Sequence, residues 1–418
     1  MCIRDSRPTG RARRPASMTP GSPGWLTALA VGSVRSLDPA ALVAEALSGW
    51  QPTHADVLVL AVGKAAVGMA RGAVASIDRS VRGAVVGPGT VHVGSLEGWV
   101  GGHPYPTDGS VRAGDRLMVL ARTAGPGTSV VVLLSGGASA MCEVPIPGIS
   151  LGDVDDLTRR LLRSGAPIED VNRVRCALSA FKGGGLGGAL GGAGEVVVLA
   201  ISDVVGSDPS VIGSGPTVPR PRDAEGVVEV AGRYGVTVPR RVRAAMADRP
   251  AVPTRWYPVE VIADGGTLAA AVLDRAGEGS RRGFDLVGSA SATAAAVVAA
   301  AEPGLTVHVG ETTVAVTGER PGGRNQEAAL AAARALPVSA ANVFLAMGSD
   351  GIDGTTDAAG AVVDDGTWAL AEQRGLNPAG GLDGHDAHRV LDGVDALIRT
   401  GPTGTNVADL WLVWRPID

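Results

Sequence analysis

Cysteine is scarce in this 418-residue chain: Cys2, Cys142 and Cys176 are all there is. Their spacing excludes a disulfide framework or a zinc cluster and suits a reducing cytoplasm. Lysine is scarcer still, with Lys64 and Lys182 standing against 35 arginines. Aromatics make up 3%, so Val, Leu, Ala and Ile must build the core that a 45% hydrophobic content supplies. No apolar run reaches the ~18–20 residues of a membrane helix, and residues 292–301 read as a packed helix instead. A net charge of −5 offers no broad attraction to nucleic acid or an anionic membrane, so neither is an expected partner.

At roughly 100–200 residues per domain, the length implies two domains. Residues 1–17 hold five arginines and two prolines but no apolar segment, and are expected to be a disordered or extraneous extension with Met18 as the true start. Four segments then repeat one pattern, an apolar β-rich run ending in Gly, Ser, Asp or Lys. They begin at Val57, Val130, Val196 and Val343. Continuous apolar runs mark strands buried on both faces, as in parallel sheets, and helical stretches such as 65–77, 153–163 and 325–335 fall between them. That alternation predicts an α/β fold. Residues 240–256, charged and proline-bearing, read as a boundary, which divides the chain into 18–250 and 251–418. Residues 183–194 read as a glycine loop.

Ligands of such sheets sit beyond the carboxyl ends of the strands, where all four polar loops fall. Gly63-Lys64 follows a strand and opens a helix. Free N–H groups and an ammonium there favour a phosphoryl group, the alternative being a solvated lysine. No Walker A pattern occurs anywhere in the chain. In Ser135-Gly136-Gly137-Ala138-Ser139 the glycines admit an anion close to the backbone, and the alternative is a packing turn. Asp203 ends a buried run and can accept a hydroxyl proton or hold Mg²⁺, whereas Asp208, before Pro209, suits an Asx turn better. Arg324, between glycines and a helix, can grip a carboxylate or phosphate in two bonds. Asp350, Asp353 and Asp357 place three hard oxygen donors in one loop, with Asx turns as the alternative. Asn406, one of five asparagines, either touches a ligand or braces a loop, and His103 reads as structural.

The order of these motifs says more than any one of them. Gly63-Lys-Ala-Ala, His103-Pro-Tyr-Pro, Ser135-Gly-Gly-Ala-Ser, Lys182-Gly-Gly-Gly, Ser202-Asp-Val with Gly213-Ser-Gly-Pro-Thr, Gly310-Glu-Thr-Thr-Val, Gly322-Gly-Arg-Asn-Gln-Glu, Asp350-Gly-Ile-Asp-Gly and Gly401-Pro-Thr-Gly-Thr-Asn follow one another in one chain. From about residue 25 onward the sequence resembles the class II glycerate kinases. The resemblance implies a Rossmann-like doubly wound N-terminal domain, a smaller C-terminal α/β domain of the MOFRL type, and an active site in the cleft between them. It implies ATP-dependent phosphorylation of D-glycerate at the 2-hydroxyl. Carried over by motif, Lys64, Asp203 and Arg324 would be catalytic. Gly63, Ser135, Gly136, Gly137, Ser139, Lys182, Glu311, Asn325 and Asn406 would bind substrate or phosphate. Asp350 and Asp353 would hold Mg²⁺, and a homodimer is the expected assembly. Three positions depart from the family pattern, with Val309 for a glycine, Ser289 for a glutamate and Ala408 for an asparagine, and none of them is a proposed catalytic residue. Some members carry the name hydroxypyruvate reductase. That rival activity needs G-x-G-x-x-G after a strand, and Gly-Lys-Ala-Ala-Val-Gly at residue 63 lacks it. A non-catalytic sensor of phosphorylated acids is the third reading, and the intact Lys, Arg and Asp set argues against it.

Overall fold

The structure, a computed structural model, describes residues 19–221, 223–248, 255–314, 321–338 and 340–417. The expected extension, 1–17, lies outside the described residues. The first three apolar runs become β1 (Asp56–Val62), β4 (Thr128–Ser135) and β5 (Glu195–Ile201). With β2 (Val81–Gly87), β3 (Glu97–Val100) and β6 (Val259–Ala263) they form one parallel sheet in the order 3-2-1-4-5-6. That is the order of a doubly wound sheet. The strand order reverses between β1 and β4, which point the same way, and a crevice opens at their carboxyl ends.

The second sheet runs β11-β10-β9-β12-β8-β7 and comprises β7 (Ser280–Arg282), β8 (Gly304–Gly310), β9 (Val343–Gly348), β10 (Gly360–Asp364), β11 (Leu397–Ile398) and β12 (Asp409–Arg415). Here the sequence reading needs correction. The fourth apolar run, β9, is buried throughout but pairs antiparallel with both β10 and β12. Helices cover one face and the shared core covers the other, so burial alone does not report strand direction.

Three further expectations shift. The charged start of the proposed linker is a helix, Arg240–Ala247, that buries Val242 and Met246. β6 lies beyond residue 250 yet hydrogen-bonds to β5 of the first sheet. The glycine stretch contains a short helix, Gly185–Ala189. The N-terminal helix Pro23–Ser36 crosses over to the second sheet, and Trp25 meets Trp414 edge to face at 5.6 Å between ring centroids. Leu26 and Val34 from that helix, Val59 from β1, Val307 from β8 and Leu412 from β12 belong to one apolar cluster, so the two sheets are joined by a common core. Among the described residues no single helix is long and apolar enough to cross a membrane.

Candidate active site

Each sheet sends its loops into the same gap. On the first, β1 runs into Gly63, whose φ of +127° brings its backbone so near Ser135 that a Cβ would lie 2.2 Å from the hydroxyl oxygen. The Lys64 amide donates to Gly136 O at 2.9 Å, and the Ala65 amide donates to Ser135 Oγ at 3.0 Å. The loops at the reversal point of the sheet are therefore tied together, and they aim Lys64 outward. Gly136 leaves no room for a Cβ because Asp203 and Asn406 pack against it.

On the second sheet β12 is antiparallel to β8 and β9, with Asp409 in register with Gly310 and Gly348. The start of β12 thus lies beside the ends of its neighbours, where Glu311 and Asp350 follow. The Arg324–Ala335 helix begins at this edge. Ala, Leu, Gln and Glu favour helix there, and its first amides are capped by a carboxylate from another loop. Asp353 accepts from Asn325 N at 3.1 Å, Asn325 Nδ2 at 3.2 Å, Gln326 N at 2.8 Å and Gln326 Nε2 at 3.0 Å. Gly323 is needed at the cap because a Cβ would fall 2.2 Å from Asp353 Cγ.

Lys64, His103, Glu311, Arg324, Asp350 and Asp353 line one cavity of about 720 Å³ between the two sheets. Two contacts join loops of the two sheets, the first of them inside this cavity. Lys64 Nζ lies 2.6 Å from Asp350 Oδ2, and Asn406 Nδ2 donates to Asp203 Oδ2 at 2.6 Å. Arg324 donates through Nε to Asp409 Oδ2 at 2.5 Å, through Nη2 to Asp409 Oδ1 at 3.1 Å and through Nη1 to Glu311 Oε1 at 2.6 Å. Those bonds use three of its five N–H donors. Asn325 Nδ2 also donates to Asp409 Oδ1, at 3.0 Å.

Charge follows geometry. Burial pulls the Arg324 guanidinium down, but Asp409 and Glu311 outweigh it and hold its pKa above the ordinary value. Burial raises the Asp203 carboxyl, while Lys64, Asn406 and Arg324 oppose the rise. Burial raises Glu311 too, with Arg324 opposing and the charges of Asp203 and Asp409 adding. His103 is pushed down to about 4 by burial and by the Lys64 ammonium, so it is neutral at pH 7.

The remaining sequence candidates divide. Gly63, Ser135, Gly136 and Gly137 build the wall behind Lys64, and Gly137 at φ +82° packs against His103 and Lys64. Asn325 and Asn406 anchor carboxylates, Asn325 on Asp409 and Asn406 on Asp203 of the other sheet's loops. Ser139 points away from the cavity and hydrogen-bonds Ser214 Oγ at 2.7 Å. Lys182 is fully buried against Glu143 and donates to Cys142 O at 3.3 Å, so its ammonium does not reach the cavity. Asp357 turns outward to Arg399, and Asp208 makes the expected Asx turn, accepting from Ser210 N at 2.8 Å. Asp353 is corrected as a metal ligand. It is 2% exposed and its oxygens are taken by four N–H donors of a distant helix start, while the local Asx contact of this loop is made by Asp350, which accepts from Ile352 N at 3.1 Å. Sequence reasoning missed Asp409, which a carboxylate opening an otherwise apolar final strand could have signalled. It also missed Glu327 and His385, and it took the cavity-lining His103 for a structural residue.

Two family models match the chain. One, described as Domain of unknown function (DUF4147), covers residues 26–247, and the other, the MOFRL family, covers residues 304–409. The D-glycerate 2-kinase of Thermotoga maritima is 34% identical over 85% of this chain and 89% of that protein. An Agrobacterium vitis protein provisionally named hydroxypyruvate reductase is 34% identical over 90% of this chain and 91% of its own. The crystal structure of glycerate kinase from Thermotoga maritima superposes with a TM-score of 0.79 at 31% identity, over 94% of this chain and 100% of that one.

Proposed function

The chain belongs to the glycerate kinase family with a C-terminal MOFRL domain, and from that premise we propose that it transfers the γ-phosphoryl group of ATP to the 2-hydroxyl of D-glycerate. The observation that carries the reading is the meeting of Lys64 and Arg324, from opposite sheets, in one cavity edged by carboxylates. In the proposed reaction Asp203 accepts the proton of the 2-hydroxyl. A carboxylate of raised basicity is a better base than an ordinary one. The hydroxyl oxygen bonds to the γ-phosphorus, the bond from that phosphorus to the β-bridging oxygen breaks, and ADP leaves. Lys64 moves its charge from Asp350 to the migrating group, and the remaining N–H donors of Arg324 hold phosphate or the substrate carboxylate. His103, being neutral, adds no competing cation beside Lys64.

Mg²⁺ fits this donor set as a passenger of the nucleotide. Among the described residues no group of three His, Cys, Asp or Glu side chains could hold a metal. Mg²⁺ commonly takes one or two carboxylates plus phosphate oxygens and water. Asp350, which lines the cavity and meets Lys64, is the carboxylate we assign to that role. Bound there, the ion would neutralise charge on the β- and γ-phosphates.

Phosphorus NMR of the product from ATP and D-glycerate tests the proposal, with the 2-phosphate ester as the expected signal. A 3-phosphate ester would overturn the regiochemistry. Absence of any ester, together with saturable NADH binding, would replace the kinase by the reductase. The Lys64→Ala enzyme should lose about 10²–10³-fold in kcat while keeping the wild-type circular dichroism spectrum.

A further inference from the structure

The cavity is far larger than a three-carbon acid requires, and one polar group in its wall has no part in the chemistry above. Glu327 lies on the Arg324–Ala335 helix, one turn beyond Arg324, and lines the cavity together with His385. His385 Nδ1 sits 2.7 Å from Glu327 Oε2, and Ser291 Oγ donates to Glu327 Oε1 at 2.8 Å. Both carboxylate oxygens are therefore occupied, and the imidazole is held in one orientation with its Nδ1 proton on the carboxylate. Nε2 has no partner among the described residues. The backbone at His385 is left-handed, with φ of 51°, a conformation that non-glycine residues adopt seldom and that is over-represented at functional sites.

We propose that His385 Nε2 accepts a hydrogen bond from a ribose hydroxyl of the phosphoryl donor, which makes the His385–Glu327 pair the nucleoside-recognition element of the cavity. The assignment rests on the kinase reading. Transfer must occur at Lys64 and Arg324, so the triphosphate ends there. The acceptor acid is small and stays beside the same cations. The rest of the cavity is left for the nucleoside that trails behind the phosphates, and Ile352, Ala387 and Val314 give it apolar wall. An imidazole whose Nδ1–H is engaged by Glu327 presents a lone pair at Nε2, which suits a hydroxyl donor and not another phosphate oxygen.

Isothermal titration calorimetry of ATP, 2′-deoxy-ATP and 3′-deoxy-ATP, without glycerate, tests this on the full-length enzyme. Wild type should bind one of the deoxy nucleotides about 3- to 10-fold more weakly than ATP, the range expected for one hydrogen bond. In His385→Asn the amide can keep the contact with Glu327 and asparagine tolerates the left-handed backbone, but Nε2 is gone. That variant should bind all three nucleotides equally, at the weaker affinity, and His385→Ala should match it. In steady state its KM for ATP should rise by the same factor with the KM for D-glycerate unchanged. Equal binding of the three nucleotides by wild type overturns the proposal, as does discrimination that persists in both variants or a KM change confined to glycerate. If wild type binds ATP with this discrimination yet forms no phosphoglycerate, the kinase reading fails while the nucleoside site stands.

Discussion

Single side chains decide the chemistry here because each cation already has a carboxylate on it. Lys64 bonds Asp350, and Arg324 bonds Asp409 and Glu311, so both are aimed before a ligand arrives. As the proposed base, Asp203 should carry the pH dependence. Its folded pKa lies above the ordinary carboxyl value, so the active ionised form is lost as pH falls through that raised value. The acid limb of kcat/KM should accordingly sit higher than an exposed aspartate would place it. Asp203→Asn should remove that limb from the pH–rate profile and lower kcat by about 10²–10⁴-fold. Lys182, the other lysine, answers a different question. Buried with Glu143, and with the Arg175 guanidinium facing the same carboxylate, it stabilises only as part of that cluster. Lys182→Met should cost about 3–5 kcal/mol in urea unfolding, and adding Glu143→Leu should recover only part of it, because Arg175 then loses its countercharge. Turnover per folded molecule should survive the double substitution, which a phosphate-binding lysine would not permit.

At the scale of elements, the Arg324–Ala335 helix is the piece on which the second half of the site hangs. It presents Arg324 at its first position, Asn325 to Asp409, Gln326 to Asp353 and Glu327 to His385. Asp353 holds that helix in place from a separate loop, and the close approach at Gly323 shows how tightly. Burial pushes Asp353 up to about 6 even though four N–H donors favour its charged form. Asp353→Ala strands those buried donors and removes a cap. It should cost about 2–3 kcal/mol in denaturant unfolding and also lower kcat, since Arg324 begins the helix that loses its anchor. If stability falls with kcat unchanged, the helix does not transmit its position to Arg324. The motif Gly-Gly-Arg-Asn-Gln-Glu was legible as a polar helix start, and it lines the cavity. The identity of the carboxylate that caps it was not, because Asp353 lies 28 residues from Asn325 along the chain.

For the molecule as a whole, the two sheets must keep a fixed relation for Lys64 and Arg324 to share a cavity. The common core does this, and the Pro23–Ser36 helix is its most telling part, since it precedes the first sheet in sequence and packs on the second. Leu26 is 0% exposed in that helix. Leu26→Ala should destabilise by about 2–5 kcal/mol, as truncation of a buried leucine does. Hydrogen exchange should then speed up in β9 and β12 of the second sheet. Acceleration confined to β1 and β2 would mean that the helix belongs energetically to the first sheet.

Three apolar runs ending in Gly, Ser or Asp already specify the parallel strands and their loops, because burial on both faces and the chemistry of turns are local properties of a chain. The ordered glycine motifs likewise expose Lys64, Asp203 and Arg324. What the linear chain could not decide was partnership. The direction of β9, the attachment of β6 to the first sheet, the seat of Lys182 on Glu143 and the pairing of Arg324 with Asp409 all join residues far apart in sequence. Such contacts are chosen by how the sheets and helices pack, and no local pattern encodes which carboxylate will lie beside which cation once the gap between the sheets has formed.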